Sequence, residues 1–472
     1  MSAKGRSQNL KSLQKKKQHQ LNVKLIISAI AVSLLVTIAN INHTISTWQS
    51  QQLILIDSET FASHKYLPIK FGSADKILEQ DFSEIDSLAK QLRYSGTSVV
   101  ELANLLEQHA ATEAAKARII YAWITQHIAY DVSAFNQAID HDIYPEVSPE
   151  QVLEQRKTIC SGFSNLYYAL ASAMNLDSVI IIGYAKGATP ENDPRFQEIN
   201  HAWNGVKIDQ GWYLIDATWG AGSIVNNQFI PQFKPYYFAT APQEFIKHHY
   251  PQDSGWQLIA PTLTRQNFND FPPISERFYD LGLAIVSHQN YQIETAQRVE
   301  IKLQAPPNVV VWATMSRKEQ ELSESTVLVS RHDHNIVINA APPQAGTYDL
   351  TIFAKEQNDS PQYDQIIKYK IAADNSVAQL PITYAPFNDY QASLLEPLEA
   401  ELKPNWSTYF ALVVPEAIDV QVVNSDTQQW TSLTGYGNQF RGNVDIQPGN
   451  IFVVAKFPDE DQYWQLLKYQ AD

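Results

Sequence analysis

The stretch KTICSGFSNL, residues 157–166, contains Cys160, the single cysteine of this 472-residue chain. A disulfide within the chain would need a second cysteine, and most unpaired cysteines are buried, inert side chains. Apolar residues recur after Cys160 at helical spacing, at Phe163, Leu166 and Leu170, so a helix is predicted to begin at the cysteine. The unpaired N–H groups and the dipole at a helix start favour negative charge, which suits a reactive thiolate.

The sequence around this stretch indicates helices first and strands afterwards. Residues 98–132 carry apolar side chains at helical spacing in two successive segments. Ser148 and Pro149 mark the start of a short helix that is predicted to end near Gln155. Three strand-like runs follow Cys160, namely SVIIIGYAKG, HAWNGVKI and WYLIDATWG. The order predicts an α+β domain over residues 85–262.

The second and third runs form a predicted hairpin that brings a histidine and an aspartate together. If Lys207 pairs with Trp212 across the turn, Trp203 lies opposite Asp216. His201 points the same way as Trp203, because side chains alternate along a strand. His201 and Asp216 then become diagonal neighbours on one face. A register shift of one residue would turn the histidine to the other face, and loops of two or four residues both fit.

These three residues also have a structural interpretation. A lone histidine on a strand is usually a satisfied polar residue, and an aspartate after a strand can cap a turn. A nucleophilic thiol, however, needs a base beside it and a group that orients the base. A cysteine at a helix start, followed by a histidine and an aspartate on paired strands, therefore favours a catalytic triad of Cys160, His201 and Asp216.

Three motifs resemble those of the transglutaminase-like superfamily, with its papain-like order of Cys, His and Asp: TICSGFSNLYYAL, NHAWNGVKI and GWYLIDATWGAG. The last motif indicates the kyphoscoliosis-peptidase-like branch, and the resemblance spans residues 85–259. It implies that Cys160 is the nucleophile, His201 the base and Asp216 the orienting group. This branch usually has glycine two residues before the cysteine, where this chain has Thr158. The resemblance also implies that some relatives with this fold are binding or scaffolding modules.

Other candidate sites are weaker. Gln155 could donate to an oxyanion, or it could be a solvated helix-end side chain. The segments KHHY and RHDH, residues 247–250 and 331–334, lack a matching cluster of metal ligands, so no metal site is predicted. No phosphate-binding or dinucleotide-binding motif is present in the sequence, so no cofactor is predicted. The three tryptophans near the triad fit either a peptide-binding cleft or the core; they are Trp203, Trp212 and Trp219.

The C-terminal part of the chain has a sequence pattern typical of β-strands. Short β-rich runs separated by turns form two series, with a polar break near Ala373. Each series has the strand density of a β-sandwich. We therefore expect two β-sandwich-like modules, over residues 263–375 and 376–472.

The N-terminal part predicts a membrane anchor. Residues 1–24 carry seven Lys or Arg and no acid, and residues 25–41 form an uncharged apolar run long enough to span a bilayer. Positive charge before such a span keeps the N-terminus in the cytoplasm and places the body outside. A signal peptide cleaved near Ala39 is the alternative, and it would leave a secreted protein. Residues 42–84 are interpreted as a linker.

The predicted partners follow from charge and chemistry. The chain has a formal charge of −15, and its remaining part has −22 once the basic tail is removed, which disfavours nucleic acid. A thiol nucleophile of this kind predicts acyl transfer on a protein or peptide amide, by proteolysis, deamidation or cross-linking. The alternative is a non-catalytic binding or scaffolding module at the cell surface.

Overall fold

The computed structural model describes Ile77 and residues 80–141, 143–186, 198–332, 334–358 and 361–472. The predicted basic tail, apolar span and most of the linker, residues 1–24, 25–41 and 42–84, lie outside these residues. Within the described ranges, no helix is both long and apolar enough to cross a bilayer. The membrane anchor, its signal-peptide alternative and the location outside the cytoplasm therefore stay predictions.

Most α-helices of the described residues precede the first sandwich. In chain order they are Ser83–Gln91, Val99–Glu107, Glu113–His127, Val132–His141, Pro149–Gln155, Cys160–Ala173, Ala217–Gly220, Pro242–Phe245, Arg265–Asp270, Glu276–Asp280 and Ala385–Asp389. Short 3₁₀ turns lie at Pro235–Tyr237, Ser254–Gln257 and Glu324–Thr326. The helix predicted to begin at Cys160 does so, which confirms that part of the sequence analysis.

The helix Glu113–His127 is stabilised by a cap at its start and is joined to the helix Ser83–Gln91 by an ion pair. Thr112 caps the start of this helix: its side chain accepts a hydrogen bond from the Ala115 N–H at 3.1 Å. Further along this helix, Arg118 donates two hydrogen bonds to Asp86, at 2.8 and 2.7 Å. The Arg118 guanidinium also lies 4.8 Å from the centre of the Phe238 ring, so its charge is covered by both a carboxylate and an aromatic face.

A four-stranded antiparallel sheet, called the site sheet below, lies against these helices. Its spatial order is Gly211–Ile215, His201–Ile208, Ser178–Ala185 and His249–Pro251. The first three strands were predicted from the sequence, and the fourth was not. Two small pairs complete this part of the chain: Ala129–Tyr130 with Lys157–Thr158, in parallel, and Gly222–Val225 with Gln228–Pro231, antiparallel.

The core of this domain lies between the helices and one face of the site sheet. Helix residues Trp123 and Phe163 and strand residues Val206 and Ile215 are fully buried in one apolar cluster. A second, smaller cluster covers the opposite face and includes Trp203. The sheet is therefore buried on both faces, which accounts for the apolar strand sequences.

The first β-sandwich joins two sheets around one core. The five-stranded sheet has the order Gln292–Thr295, Asp364–Ala373, Gly346–Glu356, Val309–Arg317 and Gln320–Glu321. The four-stranded sheet has the order Val327–His332, Asn335–Ala340, Val299–Gln304 and Ala284–Ile285. The core residues alternate with exposed ones along these strands, as in Val299–Gln304.

The second β-sandwich repeats the arrangement. Its five-stranded sheet has the order Ile382–Thr383, Trp464–Ala471, Gly449–Lys456, Asp419–Asn424 and Gln429–Ser432. Its four-stranded sheet has the order Ser393–Glu396, Ser407–Val413, Gln439–Asp445 and Thr434–Tyr436. Leu328 and Ala341 of the first sandwich belong to the core cluster of the second, so the two modules share apolar packing.

A close approach fixes the backbone just before the Cys160 helix. Thr158 is buried in the strand Lys157–Thr158, and its side chain lies over Gly162 in the first turn of the helix. A Cβ atom added to Gly162 would come within 2.0 Å of the Thr158 Oγ1 atom and 2.8 Å of its Cβ atom. Any larger residue at position 162 would therefore clash with the Thr158 side chain.

We predict that Gly162→Ala lowers the free energy of unfolding by about 1–3 kcal/mol, because the added methyl group overpacks against Thr158. In a Thr158→Gly background the same change should have little effect, since the clashing atoms are gone and alanine favours a helix. Chemical denaturation of the four variants gives the coupling energy, with Ser172→Ala on the exposed face of the same helix as control. An equal loss in both backgrounds would show that Thr158 is not the cause.

Candidate active site

Cys160 is the first residue of the helix Cys160–Ala173 and is partly exposed. The preceding residues are held by the parallel pairing of Lys157–Thr158 with Ala129–Tyr130. The Asp131 N–H donates to the Thr158 carbonyl at 2.8 Å, and the Asp131 carboxylate pairs with Lys157 at 2.8 Å. The backbone just before Cys160 is thus held in place by these contacts. The thiol lies at the start of a helix, where negative charge is favoured.

The hairpin has the register that the sequence predicts. Lys207 lies opposite Trp212, and the turn between the strands has two residues, Asp209 and Gln210. Both turn residues have positive φ, 48° and 74°, the geometry that suits tightly twisted hairpins. His201 begins one strand, and Asp216 directly follows the other. Their side chains meet, with His201 Nε2 2.8 Å from Asp216 Oδ2.

The Asp216 carboxylate is fully buried and accepts four hydrogen bonds. Its Oδ1 atom accepts from the backbone N–H groups of Thr218 and Trp219, at 2.8 and 3.1 Å, so Asp216 also caps the helix Ala217–Gly220. Its Oδ2 atom accepts from His201 Nε2 at 2.8 Å and from His249 Nε2 at 2.9 Å. The carboxylate is therefore fixed by two backbone donors and two imidazoles.

The charges in the site follow from these contacts. Burial alone would raise the pKa of Asp216, but the charge of His201 and the hydrogen bonds from both histidines outweigh it and hold the pKa well below its ordinary value. Burial alone would lower the pKa of His201, whereas Asp216 and the hydrogen bond and charge of Cys160 raise it well above its ordinary value. Both shifts favour an ionised Asp216 and a protonated His201.

The hydrogen-bond network also assigns the two ring nitrogens of His201. Its Nε2 atom donates to Asp216 at 2.8 Å, so Nδ1 is the nitrogen that remains for a second partner. An imidazolium can donate through both nitrogens, so His201 can hold Asp216 at Nε2 and offer a second proton at Nδ1. Such a second donor is what a cysteine nucleophile requires from its neighbouring base.

Aromatic rings enclose the two histidines. Trp203 is 1% exposed, and its ring lies 6.0 Å from that of His201. Trp219 is partly exposed and lies 5.6 Å from His201 and 4.5 Å from His249. Trp203 therefore belongs to the core, and Trp219 borders the site. Trp212 packs edge-on against Trp256 at 5.0 Å, in the smaller apolar cluster.

The weaker sequence candidates have different positions. Gln155 is exposed at the end of the helix Pro149–Gln155. His332 lies at the end of a strand of the first sandwich, so the RHDH segment is remote in sequence from the triad. His249, within the KHHY segment, is the residue that the sequence analysis missed. The sequence around His249 gives no sign of its position near Asp216, because its short strand pairs with residues that are distant in the sequence.

The three side chains His201, Asp216 and His249 could also supply metal ligands, since their donor atoms lie within 4.8 Å of one another. Both imidazole nitrogens, however, are directed at the same carboxylate oxygen at hydrogen-bond distance. The two Nε2 atoms and the carboxylate oxygen satisfy one another, and a shared ion would have to break both bonds. The geometry therefore fits a hydrogen-bonded triad.

Comparisons with known proteins agree with this arrangement. Residues 100–217 match the model of the transglutaminase-like superfamily, and residues 265–382 match the model of the KY-like, immunoglobulin-like domain. The kyphoscoliosis peptidase of Mus musculus is 27% identical over 352 residues, which are 73% of this chain and 49% of the relative. Hillarin of Drosophila melanogaster is 27% identical over 218 residues, 43% of this chain and 26% of the relative.

Among solved structures, a crystal structure of a TGase aligns with 38% of this chain and 40% of its own, at 22% identity and a TM-score of 0.20. The chain spans about half or less of the length of the curated relatives it matches. The two matched models follow each other in the order in which the α+β domain and the first sandwich occur. Residues 100–217 therefore form a transglutaminase-like domain, and the resemblance of the chain to the kyphoscoliosis-peptidase-like branch is confirmed.

Proposed function

We propose that this chain is a cysteine acyl-transfer enzyme that acts on protein or peptide amides, with Cys160 as nucleophile, His201 as general acid and base, and Asp216 as the group that orients the histidine. One observation supports this most strongly: His201 Nε2 lies 2.8 Å from the buried Asp216 carboxylate, and Cys160 is among the groups that raise the pKa of His201. A residue set with only a structural role would not require an imidazolium between a carboxylate and a thiol.

The reaction follows from these positions. The Cys160 sulfur attacks the amide carbon, the carbon–nitrogen bond breaks, and His201 gives its proton to the departing nitrogen. A thioester on Cys160 remains. Water or a primary amine then attacks the thioester carbon while His201 takes a proton from it, and the carbon–sulfur bond breaks to restore the thiolate. The Cys160 backbone N–H at the helix start is our candidate donor to the oxyanion.

The name of the mammalian relative, a peptidase, supports hydrolysis of a peptide bond as the first reaction to test. The superfamily model supports transfer to an amine as the second. Both pass through the same thioester, and the difference lies in whether water or an amine reaches it. We also propose that the body acts outside the cytoplasm, on the grounds of the basic tail and apolar span at residues 1–41.

The ion pair predicts how the thiol reacts as pH falls. His201 has a raised pKa and stays protonated through the neutral range, so Cys160 should remain reactive below about pH 8.5, where an ordinary cysteine thiol loses reactivity. Iodoacetamide labelling, followed by mass spectrometry of the Cys160 peptide, measures this rate against pH. His201→Ala should abolish the labelling at low pH.

His109→Ala is the control for this measurement, because His109 is exposed and lies between two helices away from the triad. Its labelling profile should match that of the unsubstituted protein. A profile that follows free cysteine in the unsubstituted protein would contradict the ion pair.

Substitution of Asp216 should separate orientation from packing. In Asp216→Asn, the new NH₂ group would face donors, so both histidines would have to change tautomer or turn away. Loss of the comparable carboxylate in serine proteases lowers turnover by about 10⁴-fold, and we expect a fall of that order here. Asp209→Asn, the same change in the exposed turn of the same hairpin, is the matched control and should keep full activity.

The assay offers the protein a glutamine-containing substrate with and without a labelled primary amine. New chain ends indicate proteolysis, ammonia release indicates deamidation, and incorporated label indicates transfer to the amine. Cys160→Ala should remove whichever activity is found while thermal unfolding stays close to that of the unsubstituted protein. If Cys160→Ala instead restores cells that lack the protein as well as the unsubstituted chain does, the binding-module function is correct.

A further inference from the structure

His249 makes a contact that the triad alone does not require. It begins the strand His249–Pro251, at the edge of the site sheet, and its side chain is completely buried. Its Nε2 atom lies 2.9 Å from Asp216 Oδ2, the oxygen that also accepts from His201. The catalytic carboxylate therefore has two imidazole donors on one atom.

The His249 ring is held in place from several sides. Phe245 stacks on it with ring centres 4.1 Å apart and planes 16° from parallel. Trp203 meets its plane edge-on at 5.1 Å, and Trp219 lies at 4.5 Å. The backbone is fixed as well, because His249 pairs with Ala185 in the neighbouring strand. The direction of its Nε2 donor is thus set before any substrate binds.

We propose that His249 is a positioning residue: it holds the Asp216 carboxylate in the orientation that keeps His201 aligned with Cys160. The proposal rests on the proposed function of the triad. Oδ1 is fixed by the helix that Asp216 caps, and His249 fixes Oδ2 against rotation independently of His201. His201 then meets a carboxylate whose oxygen is already in place, so its own ring is oriented by a rigid partner.

The charge of His249 suits this role. Burial lowers its pKa, and the hydrogen bond and charge of Asp216 compensate only in part. A neutral His249 donates one proton to Asp216 and does not compete with His201 for the positive charge. The titratable groups around it are Asp216, His201, His248 and Tyr237. Of the three histidines, His201 has a raised pKa, whereas the pKa values of His248 and His249 are lowered.

The chain offers a matched control in the adjacent residue. His248 is buried to 2% exposure and is surrounded by aromatic rings, including Tyr236 at 6.0 Å and Tyr279 at 5.9 Å. The hydrogen bonds to the Asp216 side chain come from other residues. A change that acts through packing alone should have similar effects at the two positions, whereas a change that acts through Asp216 should have an effect only at His249.

The test compares His249→Phe, which keeps a ring but removes the donor, with His249→Gln, which restores an N–H at similar reach, and with His248→Phe. We expect His249→Phe to lower the rate of Cys160 alkylation at pH 6 about tenfold and to lower kcat with little change in KM, because His249 is buried away from substrate. His249→Gln should recover most of both, and His248→Phe should leave both close to the unsubstituted values. Thermal unfolding identifies any variant that fails to fold.

Nitrogen-15 NMR of the histidine side chains tests the proposal apart from catalysis. The unsubstituted protein should show neutral His249 with its proton on Nε2, and His201 as a single, sharp imidazolium. In His249→Phe the His201 signals should broaden or split. If they stay sharp and the alkylation rate is unchanged in the folded variant, or if His248→Phe has the same effect, the positioning role is wrong. Absence of acyl transfer with the NMR result intact would instead contradict the proposed function.

Discussion

The structure of the site depends on the buried carboxylate of Asp216. An isolated carboxylate in an apolar interior is strongly destabilising, and it is tolerated only where hydrogen bonds and an opposite charge compensate. Here two backbone N–H groups and two imidazoles do so. Each donor comes from an element with its own constraint: a helix start, the hairpin, and the edge strand that carries His249. The carboxylate is therefore fully compensated only when all three elements are in place.

This constraint extends into the first sandwich. The Asp216 N–H donates to the Tyr237 carbonyl at 3.0 Å, and the Tyr237 hydroxyl donates to Glu276 at 3.2 Å. Glu276, which begins a helix ahead of the first sandwich, also forms an ion pair with Lys234. The segment after Asp216 is thus fixed on its far side by Glu276. Contacts from the short helix before the first sandwich therefore help to hold the segment that follows Asp216.

The parts of the site that the sequence predicts are those set by local geometry. Alternation along a hairpin places His201 beside Asp216, and the apolar spacing after Cys160 defines the helix start; both need only neighbouring residues. His249 could not be predicted in this way, because the strand His249–Pro251 has three residues and pairs with Ser178–Ala185, far away in the sequence. Thr158 departs from the pattern of the branch. The structure shows what the sequence pattern could not, namely that the Thr158 side chain fills the space over Gly162.

The two imidazoles on Asp216 cannot be equivalent. Their ring centres lie 5.4 Å apart in a buried site, so two positive charges there would repel each other across a single carboxylate. One of the two must stay neutral, and the asymmetry comes from the second nitrogen of each ring. His249 Nδ1 is buried with no hydrogen-bond partner among the described residues, whereas the pKa of His201 is raised by Cys160 as well as by Asp216. The positive charge is therefore favoured on His201, where Asp216 and, to a smaller extent, Cys160 raise the pKa, and disfavoured on His249, where burial lowers it.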